Sequence, residues 1–226
     1  MKNILIFIFA ALLLSIPAAM SQGTGKYRLK TSVGFLAGGN YNTMTGKDFV
    51  GQRLENNPHP GYHVGVNIQI PFLEVVYFQP GLNFTTKGTR ENNPDEDRVR
   101  LTYLEVPMHV VYKSRLPDGF FYLGAGPYVA YGLQALILTD SGGRDRKTEI
   151  LFKNVVEPED QVVARYLRRM DAGAGAIIGY EMYGGLFLQF NVQFGIMKIN
   201  PEYTMLPDNE RELRNAGIGL SLGFRL

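Results

Sequence analysis

The chain has neither cysteine nor tryptophan among its 226 residues. Without thiols, disulfide scaffolds, thiolate-bound zinc, iron–sulfur clusters and thiol catalysis are all excluded. Charge is scarce too: 19% of residues are Asp, Glu, Lys or Arg, below the ~25% usual in soluble domains. Their near balance leaves a net charge of +2, so no long-range basic field draws in nucleic acid. After residue 21 no apolar run is long enough to cross a bilayer as a helix.

Glycine and aromatics are what the chain does have. Its 26 glycines are about 12% of the residues, against a typical ~7%. With 14 Phe and 13 Tyr, disordered and collagen-like readings fail. The start has a different character. Met1-Lys2-Asn3 is a short positive segment, and Ile4 to Ile16 is an apolar run interrupted only by Ser15. Pro17-Ala18-Ala19-Met20-Ser21 then places small residues before a cut ahead of Gln22. This predicts a secretory signal peptide over residues 1–21 and a mature domain over 22–226. The apolar run is shorter than the ~17–25 residues of a spanning helix, and no Cys follows it to carry a lipid anchor.

The mature chain alternates with period two. Tyr62, Val64, Val66, Ile68 and Ile70 oppose His63, Gly65, Asn67 and Gln69. Leu104, Val106, Met108, Val110 and Tyr112 oppose Tyr103, Glu105, Pro107 and His109. Phe78 to Thr85, Leu186 to Ile196 and Ala216 to Leu226 repeat the pattern, the last setting Ile218, Leu220, Leu222 and Phe224 against Gly219, Ser221, Gly223 and Arg225. Tyr27 to Tyr41, Phe120 to Leu138 and Arg168 to Tyr180 carry looser versions. The total is eight strands. The only helical spacing is Val162, Val163, Tyr166, Leu167 and Met170, which fits a short loop helix or the start of the sixth strand.

The connections alternate as well. Those after strands two, four and six are short: Pro71 to Glu74, Ser114 to Gly119, and Glu181 to Gly185. Those after strands one, three, five and seven are long and polar: Asn42 to Pro60, Lys87 to Asp97, Thr139 to Gln161, and Asn200 to Glu212. Short periplasmic turns alternating with long extracellular loops are the mark of a transmembrane barrel. The expected fold is all-β, an eight-stranded antiparallel up-and-down transmembrane β-barrel. Its apolar face meets outer-membrane lipid and its glycine and amide face fills the lumen. A soluble lipocalin-like barrel would be apolar inside and indifferent to loop alternation.

Few residues suggest chemistry. Gly173-Ala174-Gly175 resembles a phosphate loop but lacks the third glycine at position 178 and a following helix, so no cofactor is implied. His63, Glu105, His109, Asp171 and Arg225 all fall on the inward face. They are expected to join a polar lumen network, since a buried charge must find a partner; a metal or proton relay would need two His and a Glu to converge. His59 and Ser141 near the long-loop rim are the pieces a lipid-modifying enzyme would need. Charged loop residues such as Glu91, Arg98 and Arg144 read as solvated surface or as a partner contact.

Tyr103-Leu104-Glu105-Val106-Pro107, Phe121 to Tyr128, and Phe78-Gln79-Pro80-Gly81-Leu82 with Lys87-Gly88 resemble the PorT-like outer-membrane β-barrel proteins of Bacteroidetes, over about Tyr27 to Leu226. The resemblance implies residence in the outer membrane, with an envelope-integrity or protein-interaction role and no enzymatic one. It also points to secretion-apparatus proteins as partners, because the member that names the family belongs to the type IX secretion and gliding apparatus. A small-solute pore is the alternative of another class. Gly219, Leu222 and Phe224 resemble the signal read by the barrel-assembly machinery, although the chain ends in Arg225-Leu226 after the aromatic.

Overall fold

Period-two alternation over ten to twenty residues produces strands much longer than the five or six residues typical of globular sheets. The computed structural model describes residues 30–92, 97–141, 144–160, 165–206 and 210–226. In chain order the strands are β1 (Ser32–Lys47), β2 (Asn57–Pro71), β3 (Val76–Arg90), β4 (Arg98–Leu116), β5 (Gly119–Ser141), β6 (Arg144–Glu149), β7 (Leu151–Phe152), β8 (Val155–Val156), β9 (Tyr166–Leu167), β10 (Met170–Met182), β11 (Leu186–Gly195), β12 (Glu202–Tyr203) and β13 (Glu212–Arg225). The expected signal peptide, residues 1–21, lies outside the described residues.

Eight of these strands, β1 to β5, β10, β11 and β13, form one antiparallel sheet. Two pairings close it. β5 pairs with β10, with Gly126 opposite Gly175, and the first strand pairs with the last, with Phe35 opposite Phe224. Closure removes both free edges of the barrel wall. β6 folds back on β5 as a hairpin, and the pairs β7–β9 and β8–β12 are short parallel bridges within the long connections.

The strands outrun their expected ends at the long-loop side. β1 continues to Lys47, β3 to Arg90, β4 begins at Arg98 and β13 at Glu212. Beyond the bilayer a ladder needs only paired backbone groups, so the hydropathy signal fades while the pairing continues. Tyr166 and Leu167 form β9 and Met170 opens β10; Val162 and Val163 lie outside the described residues.

Burial is inverted relative to a soluble protein. Outward residues Leu104, Leu123, Leu188, Leu220 and Leu222 are exposed, whereas inward Gln69, Glu105, Asp171 and Ser221 are no more than 1% exposed. In water each bare side chain of the apolar wall would forgo about 1.5–3 kcal/mol. Lipid is therefore the solvent of the outer wall. Small residues make the inward face possible: a Cβ on Gly38 would stand 2.8 Å from Ser221 Cα and 2.9 Å from His63 Cε1. At the turn after β10, Gly185 adopts φ +88°, a conformation that L side chains rarely take.

Candidate functional site

The lumen holds two tiers of buried charge. The tier nearer the long loops is built around Ala130 of β5, which pairs with Glu105 of β4 on one side and Asp171 of β10 on the other. The small side chain leaves space for Lys87, reaching from β3. Its Nζ lies 2.8 Å from Glu105 and 3.4 Å from Asp171, and 4.2 Å from the centre of the Tyr128 ring. Gln193 donates to Glu105 at 2.7 Å, Asn215 donates to Asp171 at 2.9 Å, and the Tyr128 hydroxyl donates to Asp171 at 3.4 Å. One cation thus faces two carboxylates, and neutral donors cover the excess.

The tier nearer the short turns has the opposite sign. Glu181 of β10 pairs with Lys113 of β4 at 2.7 Å and with Arg225 of β13 at 2.8 Å. Here the neutral partners are acceptors: Lys113 donates to Gln69 at 3.3 Å and Arg225 to Asn67 at 2.9 Å. Formal charges of −1 and +1 cancel over the lumen. Ion pairs of this kind add little net stability, but losing one partner of a buried pair costs about 3–5 kcal/mol. Between the tiers, His63 Nε2 lies 2.7 Å from Ser221 Oγ, and His63, Glu105 and His109 border a cavity of about 40 Å³. That space suits only a few waters.

An apolar cap covers the charged tiers. Val99, Leu101, Tyr103 and Ile137 of the barrel wall pack with Ile150, Leu167 and Ile199 from the long connections. Above the cap an open mouth of about 880 Å³ lies between the long connections. Phe49 and Tyr203 meet edge to face at 5.6 Å, with the Arg211 guanidinium 4.5 Å over Phe49. Arg165 grips Glu91 through two contacts of 2.7 and 2.8 Å. Farther out, Lys153 holds Asp160 at 2.6 Å, and this hydrogen bond keeps the Asp160 carboxyl below the usual carboxylate range.

The family model described as the outer membrane protein beta-barrel domain matches residues 20–200. The chain belongs to this family. No curated protein matches it in sequence. Among solved structures it is similar to Ail, the attachment invasion locus protein of Yersinia pestis, in complex with the heparin analogue sucrose octasulfate. That likeness has 12% identity and a TM-score of 0.45, over 88% of this chain and 100% of Ail. It is also similar to Neisserial surface protein A, at 11% identity and TM-score 0.41 over 86% of this chain and 96% of the other. The N-terminal β-barrel domain of Pseudomonas aeruginosa OprF gives 14% identity and TM-score 0.33, over 85% and 97%. These values are too low to bear on function.

In this outer-membrane barrel the five inward residues named from the sequence are all buried, yet they fall in different places. Glu105 and Asp171 share the upper tier and Arg225 joins the lower one; His63 bonds to Ser221, and His109 borders the small cavity. Among the described residues, no group of three or more His, Cys, Asp or Glu is placed to hold a metal ion. His59 lies on β2 and Ser141 at the end of β5, with β3 and β4 between those strands in the sheet. On β13, Leu222 and Phe224 face outward while Gly219 is buried against Asn191 of β11. Lys87 and Glu181, which hold their tiers together, escaped the sequence reading as the first residues of connections, and Lys113 as the residue between the fourth strand and its turn. Their parity was the available signal. Lys87 continues the inward row from Thr85, and Lys113 continues the row from His109.

Proposed function

We propose that this protein is a sealed, non-enzymatic outer-membrane barrel that acts through its long-loop rim, as a contact for another envelope protein. The supporting observation is the filled lumen: two charge tiers beneath an apolar cap leave an internal cavity of only about 40 Å³ between them. The open mouth above, with an apolar floor and a rim of Arg165, Arg211 and Glu91, is where a partner would engage. The resemblance to PorT-like barrels nominates type IX secretion proteins as that partner. The C-terminal Gly219, Leu222 and Phe224 favour delivery by the barrel-assembly machinery, after removal of residues 1–21 as a signal peptide.

Planar bilayers test the seal. The purified barrel is expected to give no steady conductance, and ohmic steps in every preparation would favour the small-solute pore. Cross-linking on intact cells through Glu55→Cys tests the partner. Recovery of an envelope protein supports the contact role, and an uncrosslinked barrel at full labelling refutes it.

A further inference from the structure

The tier near the short turns carries a positive charge that nothing close by offsets. Glu181 stands alone against Lys113 and Arg225, and the carboxylate excess of the other tier is far away. Asp171 and Glu181 are ten positions apart on β10, roughly 33 Å along the strand at ~3.3 Å per residue. Unit charges at that distance interact weakly even where the dielectric is well below that of water. The tiers balance in sum and not in place.

Gly34 of β1 brings the parts of this tier together. It pairs with Asn67 of β2 on one side and with Arg225 of β13 on the other. A Cβ at this position would stand 2.8 Å from Asn67 Oδ1 and 3.0 Å from Arg225 Nη1, so the glycine is what lets amide and guanidinium meet. They meet at 2.9 Å, with Arg225 Nη1 donating to Asn67 Oδ1.

What this network leaves over is all of one kind. Both carboxylate oxygens of Glu181 are taken, Oε1 by Lys113 and Oε2 by Arg225. Gln69 Oε1 accepts from Lys113, and Gln79 Oε1 accepts from Gln69. Two donors, Asn67 Nδ2 and Arg225 Nη2, have no hydrogen-bond partner among the described residues. Asn67 is 4% exposed and Arg225 7%, so bulk water does not serve them. Each orphaned nitrogen shares its carbon with an atom of the 2.9 Å bond, so the two donors flank one contact. The Phe187 ring, 5.2 Å from the guanidinium carbon, offers a π face but no lone pair.

We infer that Asn67 and Arg225 bind a small monovalent anion of the halide class, such as chloride, inside the lumen. The group that completes this tier must accept from two N–H donors and carry one negative charge. A water molecule meets the first need and leaves the second. The packed lumen, with only about 40 Å³ of cavity between its tiers, favours a monatomic ion over a phosphate or carboxylate ligand. The bound anion ties β13 to β2 across Gly34 and closes the charge of the tier beside the short turns. The inference rests on the barrel fold and does not depend on the partner role proposed above.

The test follows urea unfolding of the full barrel in phosphatidylcholine vesicles, read by gel mobility without boiling, as sodium chloride replaces sodium gluconate at fixed ionic strength. For one site occupied only in the folded state, each tenfold rise in chloride above the dissociation constant should lower the unfolding constant about tenfold. N67D keeps the acceptor for Arg225, removes one orphaned donor and supplies the missing charge itself, so its unfolding should not respond to chloride. R225Q removes the excess charge and the other donor; it should lose the response too, and it serves if N67D does not fold. S221A, outside the tier, should keep the response. In crystals soaked in bromide, an anomalous peak should lie within hydrogen-bond reach of both Asn67 Nδ2 and Arg225 Nη2. A parent barrel indifferent to chloride, an equal response in folded N67D or R225Q, or no bromide peak at the site would each overturn the inference.

Discussion

Replacing Lys87 by Met tests whether the upper tier is a linked charge set or a collection of separate contacts. The substitution keeps most of the side-chain volume and removes only the cation. Met retains a sulfur–aromatic contact worth ~0.3–1.5 kcal/mol, which offsets most of the lost attraction to the Tyr128 ring. What remains is electrostatic. Glu105 and Asp171 are both almost wholly buried and lose their shared counter-ion. Breaking such a pair costs about 3–5 kcal/mol, which raises the unfolding constant by about two to four powers of ten. A second substitution should undo part of the damage. In K87M/E105Q one carboxylate is gone, the amide that replaces it can still accept from Gln193, and Asp171 keeps its donors Asn215 and Tyr128. Urea unfolding of the barrel in lipid vesicles, followed by circular dichroism, should show K87M/E105Q more stable than K87M by at least ~1 kcal/mol. A cost below ~1 kcal/mol for K87M, or a double variant less stable than the single, would refute the linked-set reasoning.

Leu220 lies on the lipid face between Ile218 and Leu222, so Leu220→Arg should cost about 2–4 kcal/mol of folding stability in lipid. A variant as stable as the parent in the same vesicles would mean the inside and outside faces are exchanged. Ser221→Ala, one residue away on the lumen face, should cost about 1 kcal/mol through the lost bond to His63, measured in the same unfolding assay. Cysteines at Glu55 or Thr148, at the long-loop end, should react with an impermeant maleimide on intact cells, and cysteines at Glu74 or Gly184 should not; the reverse pattern would invert the barrel. Asp160 should titrate below the usual carboxylate range by NMR, and Lys153→Met should return it there. Because its folded pKa is lowered, the stability this pair adds to the third long connection is present above the ordinary carboxylate pKa and is lost as pH falls through the lowered value.

Alternation made the wall of the barrel legible. Each strand face is set by residue parity, and a slip of one residue would put Leu220 in the lumen and Ser221 in lipid. Short and long connections alternate along the chain for the same local reason, so strand number and the two ends of the barrel were readable too. The ends of the strands were not. Lys87, Arg90 and Lys113 look like loop residues because they are charged, yet they lie in the ladder. Apolar Ile150 lies in a connection that reads as polar surface, Leu167 in a stretch that reads as helix or strand, and Ile199 just before the last long connection, yet together they form the cap over the lumen.

Parity along the chain therefore determined by itself which residues face inward, and with them the all-β class, the eight strands and the membrane setting. It carries no information on which inward residues share a level, because that depends on the stagger between strands that are far apart in sequence. Only the closed barrel decided that Glu105 and Asp171, 66 positions apart, flank one alanine and share one lysine, while Arg225 is placed a tier away beside Glu181. The physical reason is closure itself. Joining β1 to β13 and β5 to β10 fixes every register around the ring at once, and the depth of each charge follows from those registers.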